Sequence, residues 1–387
     1  MRSNRARLLF VIGSVAALLS LRAVSSPSGS GKDPATRSLS IFSDVFSLTR
    51  QNYVEPTDGK TLLDGAYDGM SDALDPFSYY VSASDRAAYR AQEASGAVGS
   101  GIVVARRGGF PYVVAPLPGS PAQKAGIHSG DLIDTVDGKP VRNASLWKVN
   151  AALEGPEGSH VEVTVFRGGD EKKVSLSIPR NRFEAPALST RWERDVAVVS
   201  VPSFTRATAD GLRQAIEEAN RRGIQRMVLD LRGAIGGDLA AAVQPASLFM
   251  GKGLVARGVS RRISLPPLES AGERLWKGRT VVLMDDSTGG AAEVFAAALH
   301  DRVEATTVGE TTVGMAIVQR LVPTQSGGTL YMTVGRYVSP SGTQLAGKGL
   351  TPDERVIVFP GEAAAKDTIL ERGLEVARGS GPARRAA

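Results

Sequence analysis

The fold of this 387-residue chain is decided by two stretches, VVLMDDSTGGAAE at residues 281–293 and VGETTVGMAIVQ at residues 308–319. The first opens with four apolar residues, which predicts a buried strand, and continues through a polar, glycine-containing turn into an apolar-periodic helix that reaches Leu299. The second follows a strand predicted over residues 303–308 and contains a glycine loop. A strand, a sharp turn and a helix in this order are typical of a layered α/β domain.

These stretches resemble the core of the C-terminal processing (tail-specific) serine peptidases, whose pattern is GSASASE followed by GExTxGKGxVQ. Alignment on Glu293 places the family's nucleophilic serine on Gly290. Alignment on residues 309–310 and on Gln319 places the family's general-base lysine on Met315. The chain therefore resembles a serine peptidase that lacks both reacting groups and retains the glutamate and the glutamine beside them.

The chemistry of the two replacements supports the same interpretation. A serine becomes a nucleophile only with a base within hydrogen-bond reach, and a lysine is a base only where its pKa is lowered. Gly290 has no nucleophile, and the thioether of Met315 cannot take a proton. Methionine nearly matches the length of a lysine stem, so it can fill the same slot by packing. The sequence predicts a catalytically inactive member of the family.

The formal net charge of +6 is located at the two ends of the chain. Six arginines supply it, Arg2, Arg5, Arg7, Arg378, Arg384 and Arg385. The sequence between these ends is close to neutral, whereas a nucleic-acid-binding protein carries its positive charge on a folded face. No nucleic-acid partner is predicted.

The first 25 residues have the features of an export signal. A basic start is followed by an apolar run of 14 residues, 8–21, which is short for a bilayer span of about 20 residues. Small residues at 23–25 allow cleavage after Ser25, but the neighbouring Arg22 leaves an uncleaved membrane anchor open. We expect a signal peptide or anchor at 1–25, a flexible tether at 26–38 and a periplasmic or otherwise extracytoplasmic protein.

The composition limits the available chemistry further. The chain has no cysteine, so disulfides, lipid attachment through a signal-peptide cysteine and a thiol nucleophile are excluded. Its three histidines, His128, His160 and His300, lie far apart and lack metal-ligand spacing, which favours capping or solvated roles. We predict no metal and no other cofactor.

Residues 39–94 form the predicted helical N-terminal segment, and residues 95–180 resemble a PDZ module, a small β-sheet with helices. The resemblance rests on GSPAQKAG at 119–126 and GDLIDTVDGKPV at 130–141. In such modules an extended peptide adds as a strand while the amides of a glycine loop hold its C-terminal carboxylate. Here the resemblance places that loop at 95–101.

The peptide-binding residues follow from this resemblance. The loop contributes Gly99, Ser100 and Gly101, and Ile102 begins the adjoining strand. An apolar pocket near Trp147 and Val149, on the longer helix of the module, is expected to take an apolar last side chain. The glycines could also serve only to make a tight turn.

Residues 181–360 form the predicted peptidase-type core, in which strands and helices alternate, and residues 361–387 form a C-terminal helix and basic tail. The run DLRGAIGG at 230–237 resembles the family's DLRxNxGG turn. The resemblance implies that amides of Gly236 and Gly237 form the remnant of an oxyanion site. Together these segments predict an α/β multidomain protein.

Three functions are compatible with the sequence. The absence of the nucleophile and the base favours a non-catalytic scaffold or regulator. Such a protein would bind polypeptide C-termini or a partner protein, including an active homologous peptidase. The second is an active serine endopeptidase with Ser287 or Thr288 as a relocated nucleophile and Lys348 as the nearest later lysine, although polar residues before a helix are usually caps. The third is a structural subunit without a peptide ligand. Contact with a membrane is expected only through an uncleaved N-terminal segment, and oligomer formation is open.

Overall fold

The computed structural model describes residues 34–168, 173–357 and 367–379. It divides into two compact units, residues 1–65 and residues 66–387. The predicted signal peptide or anchor, most of the predicted tether and the basic end of the tail lie outside the described residues.

The described chain begins with two helices, α1 (Pro34–Asn52) and α2 (Gly59–Asp72). α1 starts within residues 26–38, which the sequence predicts as a tether, and its first residue is a proline, which suits the first turn of a helix. No residue of α1 is buried. No described helix has both the length and the apolar character needed to cross a bilayer.

A short strand and a helix precede a small module built of one sheet and two helices. These elements are β1 (Tyr79–Val81), α3 (Arg86–Ala94), β2 (Ile102–Arg107), β3 (Phe110–Pro116), α4 (Pro121–Ala125), β4 (Leu132–Val136), β5 (Lys139–Pro140), α5 (Leu146–Leu153), β6 (His160–Phe166) and β7 (Lys173–Pro179).

The sheet of the module has the order β2–β3–β4–β6–β7, with β5 paired to β4. In β6, valines alternate with outward-facing residues, so Val161, Val163 and Val165 are buried. α5 buries Leu146 and Val149 in the same core. β2 is an edge strand, which leaves one side of it available to an added strand.

The remaining elements form the core. They are β8 (Ser189–Glu193), β9 (Val196–Ser200), α6 (Arg206–Arg221), β10 (Arg226–Asp230), a 3₁₀ turn (Leu239–Ala242), α7 (Val243–Met250), β11 (Gly253–Ser260), β12 (Leu268–Ser270), β13 (Arg279–Met284), α8 (Ala291–Val303), β14 (Thr306–Gly309), β15 (Ile317–Pro323), β16 (Thr329–Val338), β17 (Glu354–Arg355) and α9 (Thr368–Arg378).

The main sheet of the core has the order β17–β14–β13–β10–β9–β8, and its strands are parallel except β8. In β13 every residue from Thr280 to Met284 is buried, a pattern typical of a parallel strand covered on both faces. α8 packs on one face and α9 on the other, where Ile369 and Val376 contact the strands. This is the layered α/β architecture that the sequence predicts.

The register of β10 and β13 places the candidate site at one edge of this sheet. Asp230 lies opposite Leu283, and both strands run in the same direction. The turns that follow them, at 231–237 and 285–290, therefore lie side by side at the carboxyl edge, where ligand sites of α/β sheets usually occur.

A second sheet has the order β1–β16–β11–β12, with β15 paired to β16. The sequence pattern predicts only part of it, a strand at 330–334, and misses β11, β12 and β15. Much of β15 is exposed, so its sequence lacks the apolar alternation that identifies a half-buried strand.

Candidate functional site

Gly290 lies in the turn between β13 and α8, in a backbone conformation that side chains rarely adopt. Its φ is 67° and its ψ is −122°. A Cβ atom added here would lie 2.8 Å from the carbonyl oxygen of Gly236. A serine at this position would therefore be strained twice, by its φ and by that contact. Glycine avoids this strain and carries no side chain that could react.

Gly290→Ala should lower the stability of the protein by about 2–4 kcal/mol, because a positive φ and a backbone contact are both unfavourable. Gly138→Ala is the matched control: Gly138 has a φ of 71° but no atom within 4 Å of an added Cβ, so only the φ term of about 1 kcal/mol applies. Thermal and denaturant unfolding of the full chain measure both. Equal losses in the two variants would show that the contact with Gly236 has no energetic effect.

Glu293 brings the two vacated positions together. Its side chain is fully buried, and one carboxylate oxygen, Oε2, accepts hydrogen bonds from the backbone N–H groups of Gly290 (3.0 Å) and Met315 (2.6 Å). The other oxygen, Oε1, accepts from the N–H of Gly314 (2.5 Å) and from the hydroxyl of Thr312. Burial raises the pKa of Glu293, against the effect of these four donors. The structure thus brings the backbone of residues 290 and 315 together around the carboxylate of Glu293.

The glycine turn after β10 presents a carbonyl oxygen to the vacated nucleophile position. Gly236 and Gly237 have φ values of 81° and 78°. The N–H of Ala291, which follows that position, donates to the carbonyl of Gly236 at 3.3 Å. An oxyanion site needs N–H donors directed at the reacting oxygen. Here one candidate donor, the N–H of Ala291, is already hydrogen-bonded, and the turn presents the carbonyl oxygen of Gly236, which can only accept.

The side chain of Met315, at the aligned lysine position, and the turn at 231–237 pack against apolar residues of the small module. Ile235 forms a buried cluster with Ala105, Val114 and Ala115 of β2 and β3, and Met315 packs against this cluster. We call these five residues the interdomain apolar cluster. The cleft between the module and the core therefore has apolar walls at the position where the family's lysine would act.

Gln319 is the glutamine of the family pattern, and its side-chain amide nitrogen lacks a hydrogen-bond partner in the described part of the chain. Its Nε2 is buried and has no hydrogen-bond partner among the described residues. It lies on β15 directly opposite Thr333 of β16, whose hydroxyl also has none in this part of the chain. Buried polar groups normally have hydrogen-bond partners, so these two side chains are an unusual polar feature of the second sheet.

The alternative nucleophiles behave as turn caps. Thr288 is fully buried, and its hydroxyl hydrogen-bonds the carbonyl of Leu231 (3.1 Å) and the carboxylate of Asp285 (2.9 Å). The hydroxyl of Ser287 donates to the Asp286 carboxylate at 3.2 Å. Burial raises the pKa of Asp285. Within the described residues neither hydroxyl bonds a lysine or histidine nitrogen, and Lys348 is exposed on a later loop.

The predicted carboxylate loop lies at the mouth of a cavity of about 870 Å³. Gly99, Gly101 and Ile102 line it. Ser100 does not: it is 1% exposed, and its hydroxyl has no partner in the described part of the chain. Arg182, which was not predicted from the sequence, lines the same cavity and pairs with Glu157 at 3.3 Å, and the carboxylates of Glu154 and Glu184 line the cavity as well. In the sequence, Arg180 and Arg182 directly follow the last strand of the module, and these two basic residues are the pattern that could have indicated a cation here.

The predicted apolar pocket is wrong in part. Val149 is completely buried in the core of the module, so it cannot line an open pocket, because the apolar face of α5 turns inward. Trp147 lines a separate cavity together with Tyr79 and Tyr89, which lie outside residues 95–180. The sequence analysis misses these two tyrosines because they precede the module.

One of the three histidines, His300, contacts two carboxylates. The ring of His300 bridges Asp301 (3.1 Å) and Asp353 (3.2 Å), which joins α8 to the loop before β17. These contacts lower the pKa of Asp353 to about 2, although burial opposes the shift. Within the described ranges no three His, Asp or Glu side chains are arranged to hold a metal ion.

Comparisons with known proteins match all three segments of the chain. The model of peptidase family S41 matches residues 195–356, and the PDZ domain model matches residues 112–167. The model of the activating protease CtpB N-terminal domain matches residues 19–85. The PDZ match indicates peptide or protein binding.

Curated relatives and a solved structure extend over most of the chain. The carboxy-terminal-processing protease of Bartonella bacilliformis is 31% identical over 82% of this chain and 74% of its own length. The carboxy-terminal processing protease CtpA of Bacillus subtilis is 30% identical over 89% of this chain and 75% of its own. The structure of a photosystem II D1 C-terminal processing protease superposes with a TM-score of 0.64 at 26% identity, covering 82% of this chain and 92% of that one. These matches confirm the predicted relationship and the predicted fold class.

Proposed function

Because this chain belongs to the C-terminal processing peptidases of family S41, we propose that it is an exported, non-catalytic member that binds polypeptide C-termini through its PDZ domain and acts as a scaffold or regulator. The observation that carries the proposal is the hydrogen bond from Ala291 N–H to the Gly236 carbonyl at the vacated nucleophile position. Without a nucleophile or a base, the cleft offers no route for acyl transfer.

The surroundings of Met315 support the loss of catalysis independently. The other residues of the interdomain apolar cluster pack against the side chain of Met315, whose thioether fills the aligned lysine position and cannot accept a proton. A second contact joins the module to the core, from the Ser129 hydroxyl to the Asp286 carboxylate at 3.3 Å. Both contacts favour a fixed PDZ domain over a cleft that opens for substrate.

The PDZ domain retains the features that capture of a C-terminus requires. β2 is an edge strand, and the loop before it opens on the cavity lined by Gly99, Gly101 and Arg182. The far end of the edge is already used, because the N–H of Arg106 donates to the carbonyl of Pro76 at 2.9 Å. A short added strand of a few residues beginning beside Ile102 is therefore expected, with modest affinity.

The export and partner proposals rest on the sequence. The basic start and short apolar run at 1–25 support passage across a membrane. A family member that binds C-termini without cutting them would compete with, or present substrates to, an active homologous peptidase in the same compartment. This would make it a regulator.

Peptides with a free C-terminal carboxylate should bind the full chain at least about ten-fold more tightly than the same peptides with a C-terminal amide, because the loop N–H groups and Arg182 favour an anion. Calorimetry with matched acid and amide hexapeptides measures the ratio, and mass spectrometry of the recovered peptide should show it intact. Equal affinities would reject carboxylate capture. Cleavage that disappears in Ser287→Ala would favour the relocated-nucleophile enzyme.

Two glycine variants locate the binding. A Cβ at Gly101 would lie 2.2 Å from Cβ of Ser120, so Gly101→Ala should displace the loop and abolish the preference for the acid. Gly108 also has a positive φ, in the β2–β3 hairpin, but no atom lies within 4 Å of its added Cβ. Gly108→Ala should bind like the unmodified chain. Circular dichroism of both variants separates loop displacement from unfolding of the domain.

A further inference from the structure

A second cavity, of about 500 Å³, lies between α3 and α5. Three aromatic side chains line it, Tyr79, Tyr89 and Trp147, together with two carboxylates, Glu93 and Glu154. The lining residues, all in the described part of the chain, include no lysine and no arginine. In a protein whose overall charge is positive, this cavity is aromatic and anionic.

The aromatic wall is held in place by contacts among its own rings. Tyr89 meets Trp147 edge-on with 5.7 Å between ring centroids, and the hydroxyls of Tyr79 and Tyr89 are 3.2 Å apart. Faces of tyrosine and tryptophan attract cations. The ammonium of Lys148 already lies 5.5 Å from the centroid of the Trp147 ring, and its charge is balanced by Asp85 at 2.9 Å. The Trp147 ring thus already attracts one cation, and the pairing with Asp85 offsets the positive charge of Lys148 beside the cavity.

The carboxylates connect this cavity to the carboxylate loop. Glu154 and Ala97 line both cavities, so the two spaces adjoin. Glu154 is positioned by a hydrogen bond from Nε2 of Gln92 at 3.0 Å. Glu93 lines this cavity beside Tyr89. Burial raises the pKa of Tyr89 and Glu93 raises it further, against the opposing effect of the hydrogen bond with Tyr79.

We propose that this cavity binds the lysine or arginine side chain of a polypeptide whose basic residue is among its last three and whose terminal carboxylate lies at the Gly99–Gly101 loop. A long aliphatic stem would lie against the rings while its cationic end pairs with Glu93 and Glu154. The inference rests on the proposed capture of C-termini. It replaces the apolar last residue expected from the sequence with a basic one, because the wall beside Trp147 is tyrosine and glutamate rather than valine.

The test compares lysine with norleucine, which has the same four-carbon stem and no charge. Acetylated hexapeptides of glycine, serine and alanine with a free carboxylate carry one or the other at the last, second-last or third-last position, and calorimetry measures their binding to the full chain. At one position at least, lysine should bind about ten-fold more tightly than norleucine, and a glutamate peptide should bind more weakly than both. Norleucine equal to lysine at all three positions would overturn the proposal.

Variants assign the preference to the cavity. The double variant Glu93→Gln, Glu154→Gln should reduce the advantage of lysine over norleucine to less than about two-fold, and this ratio is measured within each variant because Glu154 also lines the cavity of the carboxylate loop. Glu162→Gln, which removes the same charge from an exposed position on β6, should keep the full advantage. An advantage that persists in the double variant would place the basic side chain elsewhere and reject the site.

The outcomes separate this inference from the proposed function. A preference for acid over amide peptides without a preference for lysine overturns only the cation site. Failure of every peptide to bind overturns both and favours the purely structural reading of the protein.

Discussion

The double variant Gly290→Ser, Met315→Lys should remain at least about 100-fold slower than an active C-terminal processing peptidase assayed beside it on casein and on a peptide with a free C-terminal tail. Restoring both side chains returns a nucleophile and a base, and Gln319 and Glu293 are still present. One candidate donor beside the nucleophile position is still engaged, because the Ala291 N–H is bonded to the Gly236 carbonyl. Loss of one such donor costs about 10²–10³ in rate.

The same assay contains its own controls. The unmodified chain and each single variant should show no turnover, since nucleophile and base act as a unit. A fluorophosphonate probe should label the double variant slowly and the unmodified chain not at all. Adding Ala234→Asn and Ile235→Pro, the residues of the family turn, should raise the rate above that of the double variant. Turnover by the unmodified chain would refute the non-catalytic proposal. Full activity of the double variant would refute the claim that the turn at Gly236 limits catalysis.

Glu293→Gln should destabilise the protein by at least about 1–3 kcal/mol, the largest loss expected from any isosteric change in the site. The carboxylate accepts from three backbone N–H groups, two at Oε2 and one at Oε1. Whichever oxygen the amide NH₂ replaces, it meets at least one N–H donor, and a buried donor left unpaired costs about 1–3 kcal/mol. The strain spreads to the loop that holds Met315, so the cluster against the PDZ domain should loosen as well.

The matched control for this prediction is Glu217→Gln, an exposed position on α6. It should change stability by less than about 0.5 kcal/mol. Thermal and denaturant unfolding measure both variants, and limited proteolysis of Glu293→Gln should show faster cleavage near residues 312–315. A loss in Glu293→Gln within 1 kcal/mol of the control would mean that this carboxylate does not organise the site.

Much of the architecture was readable from local patterns. The apolar run at 281–284 and the polar turn after it predict β13 and the start of α8, because burial on both faces of a parallel strand leaves a continuous apolar signature. The turn chemistry at 119–126 and 130–141 predicts α4 and the β4–β5 hairpin in the same way. Strands with mixed exposure, such as β15, carry no such signature and were missed.

The sequence by itself predicts which reacting groups are absent, because the family pattern aligns its nucleophile and its base with the single side chains at positions 290 and 315. Only the tertiary structure decided how the vacated site is filled: the orientation of the Gly236 carbonyl and the packing of Met315 on the PDZ domain. It also decided that Trp147 lies beside Tyr89 and not in an apolar pocket. The orientation of a peptide plane is not encoded in the identity of any one residue. Contacts between residues far apart in the chain leave no local sequence pattern. For these reasons neither the carbonyl orientation nor the long-range packing can be read from the order of amino acids alone.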